Sequence, residues 1–325
     1  MAKSWAIYTE LLEQEIKNLG INGSPKELYD PINYILSLGG KRIRPALCLL
    51  AADLFEGNIQ EAKYAALSVE VFHNFTLVHD DIMDEAPIRR GQATVHEKWN
   101  RDIAILSGDV MLVKAYELIA KLDASHLPGV LKLFNKTAIE VCEGQQMDMN
   151  FEIAKGVTIS EYIRMIELKT SVLLACSLKM GALISDASEK DANLLYEFGR
   201  NLGIAFQIQD DLLDAYGDPE KFGKRVGGDI ISNKKTYLLL TAVEKADQKQ
   251  SNNLFNLLNQ KDIEEQEKVN SIKVIYNSIG VPELANQAIK SYYDMAIDSL
   301  AAIDVKEARK ESLRSLAQQI MLREN

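Results

Sequence analysis

The chain has 325 residues, 47% of them hydrophobic and 26% charged, and a net charge of −10. This is an ordinary globular composition, enough for one large domain or two medium ones. The acidic balance argues against non-specific nucleic-acid binding but says little about a small anionic substrate, which responds to local charge.

Seven prolines and 18 glycines are few, and Leu, Ala, Ile, Glu and Lys dominate, which favours helix. Cys48, Cys142 and Cys176 show no CxxC spacing. Each lies among apolar neighbours, so buried reduced thiols in a cytoplasmic setting are expected. The N-terminal stretch has no secretory h-region, and no apolar run approaches the roughly 18 residues of a membrane span.

Apolar spacing predicts a first helix over residues 4–20 and a second over about 25–37. Gly39-Gly40-Lys41-Arg42-Ile43-Arg44-Pro45 breaks the pattern with a short basic loop. Pro45 then suits the first turn of a helix over 45–55. A long apolar helix over 60–85 ends in Asp80-Asp81-Ile82-Met83-Asp84, and Pro87 closes it. Further helices are expected at 95–100, 104–122, 128–149, 159–183, 188–215, 235–260, 262–278, 282–302 and 305–322. No segment shows sustained strand alternation, and no linker composition interrupts the chain. One all-α domain spanning 1–325, a large helical bundle around a deep central cavity, is the economical architecture.

Two clusters carry the chemistry, Asp80-Asp81-Ile82-Met83-Asp84 and Asp210-Asp211-Leu212-Leu213-Asp214. On a helix i and i+4 share a face while i+1 lies about 100° round. Each like pair of carboxylates at ~5 Å costs roughly 3 kcal/mol at an effective dielectric of 20. Hard divalent cations would offset this, and Mg²⁺ commonly shares its ligands with phosphates. A lone DDxxD is more often a solvated helix end than a site. Two of them on strongly apolar helices are harder to dismiss, and neither has the spacing of an EF-hand loop.

Cations complement the carboxylates. Lys41, Arg42 and Arg44 share the glycine loop, Arg89 and Arg90 follow the first cluster, and Lys169-Thr170 sits in a helix. Lys224 and Arg225 lie in a glycine-rich stretch after the second cluster, with Lys234-Lys235-Thr236 beyond. Arg binds phosphate bidentately and Lys as a point charge. Alternating carboxylates and cations point to a Mg²⁺-bridged polyphosphate, and neither a Walker loop nor GxGxxG is present to suggest a nucleotide.

GGKRIRP at 39–45, LVHDDIMD at 77–84, RRG at 89–91 and GQQMD at 144–148 occur in that order. KT at 169–170, FQIQDDLLD at 206–214, GKRVGGD at 223–229 and NKKT at 233–236 follow. Together they resemble the trans (head-to-tail) isoprenyl diphosphate synthases, which include farnesyl and geranylgeranyl diphosphate synthases. The resemblance runs from about residue 30 to 240. Any one motif is weak, but eight in order are specific.

It implies an all-α isoprenoid-synthase fold, a homodimer, three Mg²⁺ ions, and isopentenyl and allylic diphosphates as substrates. By the same resemblance Asp80, Asp84 and Asp210 would ligate metal directly. Asp81, Asp211, Asp214 and Asp229 would support them. Arg89, Lys169, Lys224 and Lys234 would grip the allylic diphosphate, with Thr170 and Gln207 near the reacting carbon. Lys41, Arg44, His73 and Arg90 would hold isopentenyl diphosphate. Phe75 and Thr76, one turn before the first cluster, would set product length. An aromatic at the fifth position alone, without an insertion in DDIMD, is the family's C20 pattern. That favours geranylgeranyl diphosphate, with farnesyl diphosphate as the alternative and a longer-chain product or a subunit of a heteromeric synthase further off.

Several neighbours have blander readings. His79 is expected to be a satisfied packing residue, Arg42 and Lys235 solvated or structural, and Asp109 structural. His96 and His126 carry no signal. A terpene cyclase would share the fold and one DDxxD, but would lack the isopentenyl residues and carry a different second motif.

Overall fold

Nearly every apolar period becomes a helix in the computed structural model, which describes residues 5–218, 226–260 and 262–321. The chain runs α1 (Trp5–Asn18), α2 (Lys26–Ser37), α3 (Ile43–Leu54) and α4 (Ile59–Met83). A two-residue hairpin, β1 (Ile88–Arg89) with β2 (Gln92–Ala93), precedes α5 (Val95–Lys98), α6 (Arg101–Ile119) and α7 (Leu127–Ile153). Next come α8 (Ile159–Ile166), a π-helical turn (Glu167–Ser171), α9 (Val172–Ile184) and α10 (Glu189–Tyr216). The remaining helices are α11 (Gly228–Ile231), α12 (Tyr237–Lys245), α13 (Gln248–Asn259), α14 (Glu265–Ile279), α15 (Val281–Ala301) and α16 (Glu307–Met321). The all-α expectation holds. The antiparallel hairpin pairs Ile88 with Ala93 and Arg89 with Gln92.

Two compact units divide the chain. The first comprises Met1–Asn135, Cys176–Tyr196 and Ile303–Leu313; the second comprises Lys136–Ala175, Glu197–Ala302 and Arg314–Asn325. In the first, α4 is the central element. The Asn58 side chain caps it by accepting from the Gln60 and Glu61 N–H groups. Its 25 residues span ~37 Å at 1.5 Å each. Ala65, Ala66, Val69, Val71 and Phe72 are buried around more than one face, as a helix enclosed by others must be. Phe72 meets Phe134 edge-on at 5.1 Å, and Phe134 meets Tyr116 at 5.3 Å.

The second unit is built on a core that includes Tyr162, Met165, Ile166, Ile204, Ile208, Leu238, Ile272 and Tyr276. Thr158 and Glu161 form a capping box that starts α8.

Three expectations need correction. The helix expected over 235–260 is two, because Ala246 is extended and Asp247 opens α13 with a capping box to Gln250. The helix expected over 159–183 contains the π-helical turn at Glu167–Ser171. Cys48 and Cys176 are buried as expected, but Cys142 is exposed: it lies on a face of α7 whose other members include Ile139, itself 60% exposed. Among the described residues no helix is long and apolar enough to cross a membrane.

Candidate active site

The first acidic cluster occupies the C-terminal turn of α4. Asp81 is only 1% exposed, whereas Asp80 is half-buried and Asp84 exposed. A carboxylate that deep needs a strong partner, and Arg89 supplies it. Its Nε–H donates to both Asp81 oxygens at 2.8 Å, and its Nη2 lies 2.6 Å from Oδ1. Arg89 is thus tied to the cluster itself. Asp80 and Asp84, at i and i+4, share a face, and neither is as deeply buried as Asp81.

The residues expected to hold isopentenyl diphosphate gather in the same unit. Arg44 Nη1–H donates to His73 Nε2 at 3.2 Å, which makes that ring nitrogen an acceptor. Burial, then the positive charges of Arg44, Arg90, Arg89 and Arg42, hold His73 well below the usual histidine range, so it is neutral. Burial also lowers Arg44 to about 10, and its Nε is buried with no protein partner. Arg90, at φ 52°, donates through Nη1 to the Gly39 carbonyl. Lys41, three residues before Arg44 in the chain, is exposed. These cations, with an Arg44 N–H that has no protein acceptor, form a locally positive region in a protein of net charge −10.

In the second unit Asp148, Tyr162, Met165, Ile166, Lys169, Thr170, Gln207, Asp211 and Lys234 line one pocket. Two glycines build it. A Cβ on Gly144 would lie 2.3 Å from the Lys169 backbone nitrogen, and one on Gly203 would lie 2.7 Å from Ser171 Cα. So α7 and α10 approach the π-helical turn more closely than any residue with a side chain allows. Four residues beyond each glycine, on the same face, stands the residue that meets the turn's side chains. Lys169 Nζ reaches Asp148 Oδ2 at 2.6 Å, and Thr170 Oγ1 donates to Gln207 Oε1 at 3.3 Å. The π geometry also lets Ser171 Oγ reach back to the Ile166 carbonyl, five residues earlier, at 3.4 Å.

The second acidic cluster repeats the design of the first. Its second aspartate, Asp211, is 5% exposed, while Asp210 and Asp214 are half-buried. Asp211 Oδ2 accepts from the Tyr162 hydroxyl and, at 3.0 Å, from the Tyr237 N–H. Burial pushes its carboxyl up to about 7, against the lowering effect of the Tyr162 hydrogen bond, and Asp229 pushes it further. Asp214 Oδ2 accepts from the Asp229 N–H at 2.9 Å, and Lys234 Nζ stands 4.0 Å from Asp229 Oδ1. Lys224 lies outside the described residues.

The blander readings agree with the contacts of His79, Lys235 and Arg42 but not with the exposure of Asp109. His79 packs against Gly108 and pairs through Nε2 with the Ile105 carbonyl at 3.2 Å. Lys235 donates to the Glu152 carbonyl. Arg42 is structural rather than solvated, being 3% exposed. Asp109 is exposed. Phe75 is half-buried, its ring 5.6 Å from Phe72 and 4.7 Å from His79. The Thr76 hydroxyl is spent on the His73 carbonyl. Sequence reasoning missed Asp148 and Tyr162. The first could have been found by its i+4 spacing from Gly144, the second by its place seven residues, two helical turns, before Lys169.

Among the described residues no three His, Cys, Asp or Glu side chains lie close enough to enclose a metal ion by themselves. The donor set is nonetheless hard oxygen throughout. It suits Mg²⁺, which keeps several waters and binds through one or two carboxylates plus substrate phosphate.

A family model described as polyprenyl synthetase matches residues 25–276. A geranylgeranyl diphosphate synthase of Methanosarcina mazei is 47% identical over 224 residues, 68% of this chain and 69% of that protein. A crystal structure of a geranylgeranyl pyrophosphate synthase superposes with a TM-score of 0.94, at 43% identity over 98% of each chain. Another, of geranylgeranyl pyrophosphate synthetase from Pyrococcus horikoshii Ot3, gives 0.91 at 34% identity over 98% of this chain and 97% of that one. With matches of this extent in sequence and in fold, the chain belongs to the polyprenyl synthetase family, a family of prenyltransferases.

Proposed function

We propose that the chain condenses isopentenyl diphosphate head-to-tail with allylic diphosphates of C5 to C15, releases diphosphate, and makes geranylgeranyl diphosphate (C20). The observation that carries this reading is two anion sites of different construction. One is Arg44, His73 and Arg90 with Lys41, which has cations and a neutral histidine, and whose carboxylates Glu70 and Glu13 are already paired with Arg42. The other surrounds Lys169 and Lys234 and is lined with carboxylates. A site whose carboxylates are already paired with arginine suits a diphosphate that is kept; one lined with carboxylates as well as cations suits one that leaves with Mg²⁺. A terpene cyclase would have no use for the first.

Asp80, Asp84 and Asp210 would hold three Mg²⁺ with Asp81, Asp211, Asp214 and Asp229 in support, and the ions would supply charge neutralisation to the leaving diphosphate. Arg89, Lys169, Lys224 and Lys234 bind its oxygens, so that the allylic C–O bond breaks toward preorganised positive charge. The Thr170 and Gln207 oxygens, fixed by their mutual hydrogen bond, present dipoles to the allylic cation. The double bond of isopentenyl diphosphate attacks C1, and the C2 proton leaves to the released diphosphate. Apolar walls such as Met165 and Ile166 exclude water. Phe75, five residues or about one and a half turns (~7.5 Å) before Asp80, forms the floor that stops the tail, with room left by Thr76. The name of the Methanosarcina relative supports the C20 product.

The enzyme works as a homodimer in one cytoplasmic domain. Support for the dimer comes from α6, where Ile105, Leu106 and Val113 are 37%, 56% and 58% exposed on one stripe of the helix. Incubating purified protein with Mg²⁺, isopentenyl diphosphate and each C5, C10 or C15 allylic diphosphate tests the reading. A C20 product is expected from all three, and no elongated product would refute it.

A further inference from the structure

Three of the four residues from Gly39 to Arg42 have left-handed or otherwise positive φ: 74° at Gly39, 141° at Gly40 and 47° at Arg42. Glycine takes such angles readily, but arginine does so at a cost. Arg42 also opens α3 with no side-chain cap of its own. Something must hold this backbone, and the Arg42 side chain does. Its Nε–H donates to Glu13 Oε1 at 2.7 Å, its Nη1 to Glu70 Oε1 at 2.5 Å and its Nη2 to the Leu36 carbonyl at 2.8 Å. The guanidinium therefore ties the loop to α1, to α4 and to the end of α2. Asn74 steadies the same Glu70 oxygen from one turn on, at 3.0 Å.

On either side of Arg42 stand Lys41 and Arg44. Gly40 lies against Arg90, so closely that a Cβ there would meet its guanidinium at 3.0 Å. Glu70, 2% exposed, acts electrostatically on Arg42, Arg44 and Arg90 together. Glu70, with Glu13 beside it, thus offsets three arginines, and one of the three, Arg42, turns all three of its nitrogens to protein acceptors.

We propose that Arg42 is a positioning residue: braced by Glu13 and Glu70, it holds residues 39–45 so that Lys41, Arg44 and Arg90 present one preformed site for the isopentenyl diphosphate headgroup. This rests on the proposed function, which identifies that headgroup. It assigns to Arg42 a selective effect on one of the two substrates that a merely structural residue would not have.

The test is Arg42→Gly, which accepts φ 47° without strain and removes the brace together with the ion-pair partner of Glu70. Isopentenyl diphosphate binding is titrated calorimetrically without allylic substrate, and KM is measured for each substrate. Isopentenyl affinity should weaken at least tenfold, with the matching rise in its KM, while the KM of the allylic diphosphate stays within twofold. Equal effects on both substrates, or none on isopentenyl diphosphate, overturn the proposal. Should Arg42→Gly fail to fold, Glu13→Ala removes one of the three ties from the half-exposed end, and about a threefold selective weakening is expected; unchanged affinity overturns it. Wild-type protein that binds isopentenyl diphosphate but forms no product would refute the proposed function alone. Wild-type protein that fails to bind it would overturn both.

Discussion

Gly144→Ala places one methyl group where the structure has no room. Its Cβ would lie 2.3 Å from the Lys169 nitrogen, 2.7 Å from Lys169 Cα and 2.7 Å from the Leu168 carbonyl carbon, all of them backbone atoms. Backbone cannot rotate aside as a side-chain tip can, so α7 and the π-helical turn must separate by about 1 Å to restore ordinary contact. Overpacking of this kind costs ~1–3 kcal/mol, against a gain of up to ~1 kcal/mol for replacing glycine in a helix. The larger consequence is positional. Lys169 moves away from Asp148, and a displacement of about 1 Å at a site residue costs about 10²-fold in turnover. Gly129→Ala is the control on the same helix, since its Cβ would meet only Leu183 Cδ1, at 3.9 Å. Thermal scanning and steady-state turnover with isopentenyl and farnesyl diphosphates should show Gly129→Ala at or above wild-type stability with full activity. Gly144→Ala should melt lower and turn over about a hundredfold more slowly. Wild-type turnover in Gly144→Ala would refute the claim that this close approach positions Lys169.

Asp80→Ala and Asp210→Ala should each lose at least ~10³ in turnover, the scale of removing one strong electrostatic stabiliser; near-normal rates in either would end the metal assignment. Phe75→Ala should lengthen the product beyond C20 on chromatography, and an unchanged length rejects Phe75 as the floor. His126 is raised above its ordinary range mainly by its hydrogen bond to Glu61, and it also faces Asp186 at 3.4 Å. A raised folded-state value stabilises the protein below the unfolded value of about 6.5 and loses that effect as pH climbs through the folded value. The melting temperature should therefore fall more between pH 6 and pH 8 in wild type than in His126→Gln; identical pH dependences would show that the contact contributes nothing.

Most helix positions could be read from the sequence because their apolar periods are long and their ends are marked. The boundaries of α4 and α10 fall within a residue or two of those expected. What escaped was structure that depends on a neighbour. The π-helical turn at 167–171 leaves the composition unchanged and only shifts the phase, and that phase is set by α7 and α10 through Gly144 and Gly203. The break before α13 was written locally in Asp247 and Gln250 and was overlooked inside an apparently continuous polar run. Cys142 follows the apolar Val141 in sequence, but i±1 residues on a helix do not share its face. In the site, carboxylates and cations announced themselves by type and spacing. Their pairing did not. Neither the tie of Arg89 to Asp81 nor that of Tyr162 to Asp211 follows from separations of 8 and 49 residues.

A π-helical turn holds an extra residue within a helix that otherwise continues unchanged. The stretch from α8 to α9 can therefore be regarded as an ordinary α-helix carrying a one-residue insertion. Removing one residue from Glu167–Ser171 would let the two helices fuse while the apolar faces before and after stayed in register with their neighbours. The fold would have little reason to object, but Lys169 and Thr170 would turn by about 100° relative to one flank or the other. The pocket's reactive face and the protein's stability are thus written in different phases of the same helix, and a single deletion can erase the first while sparing the second.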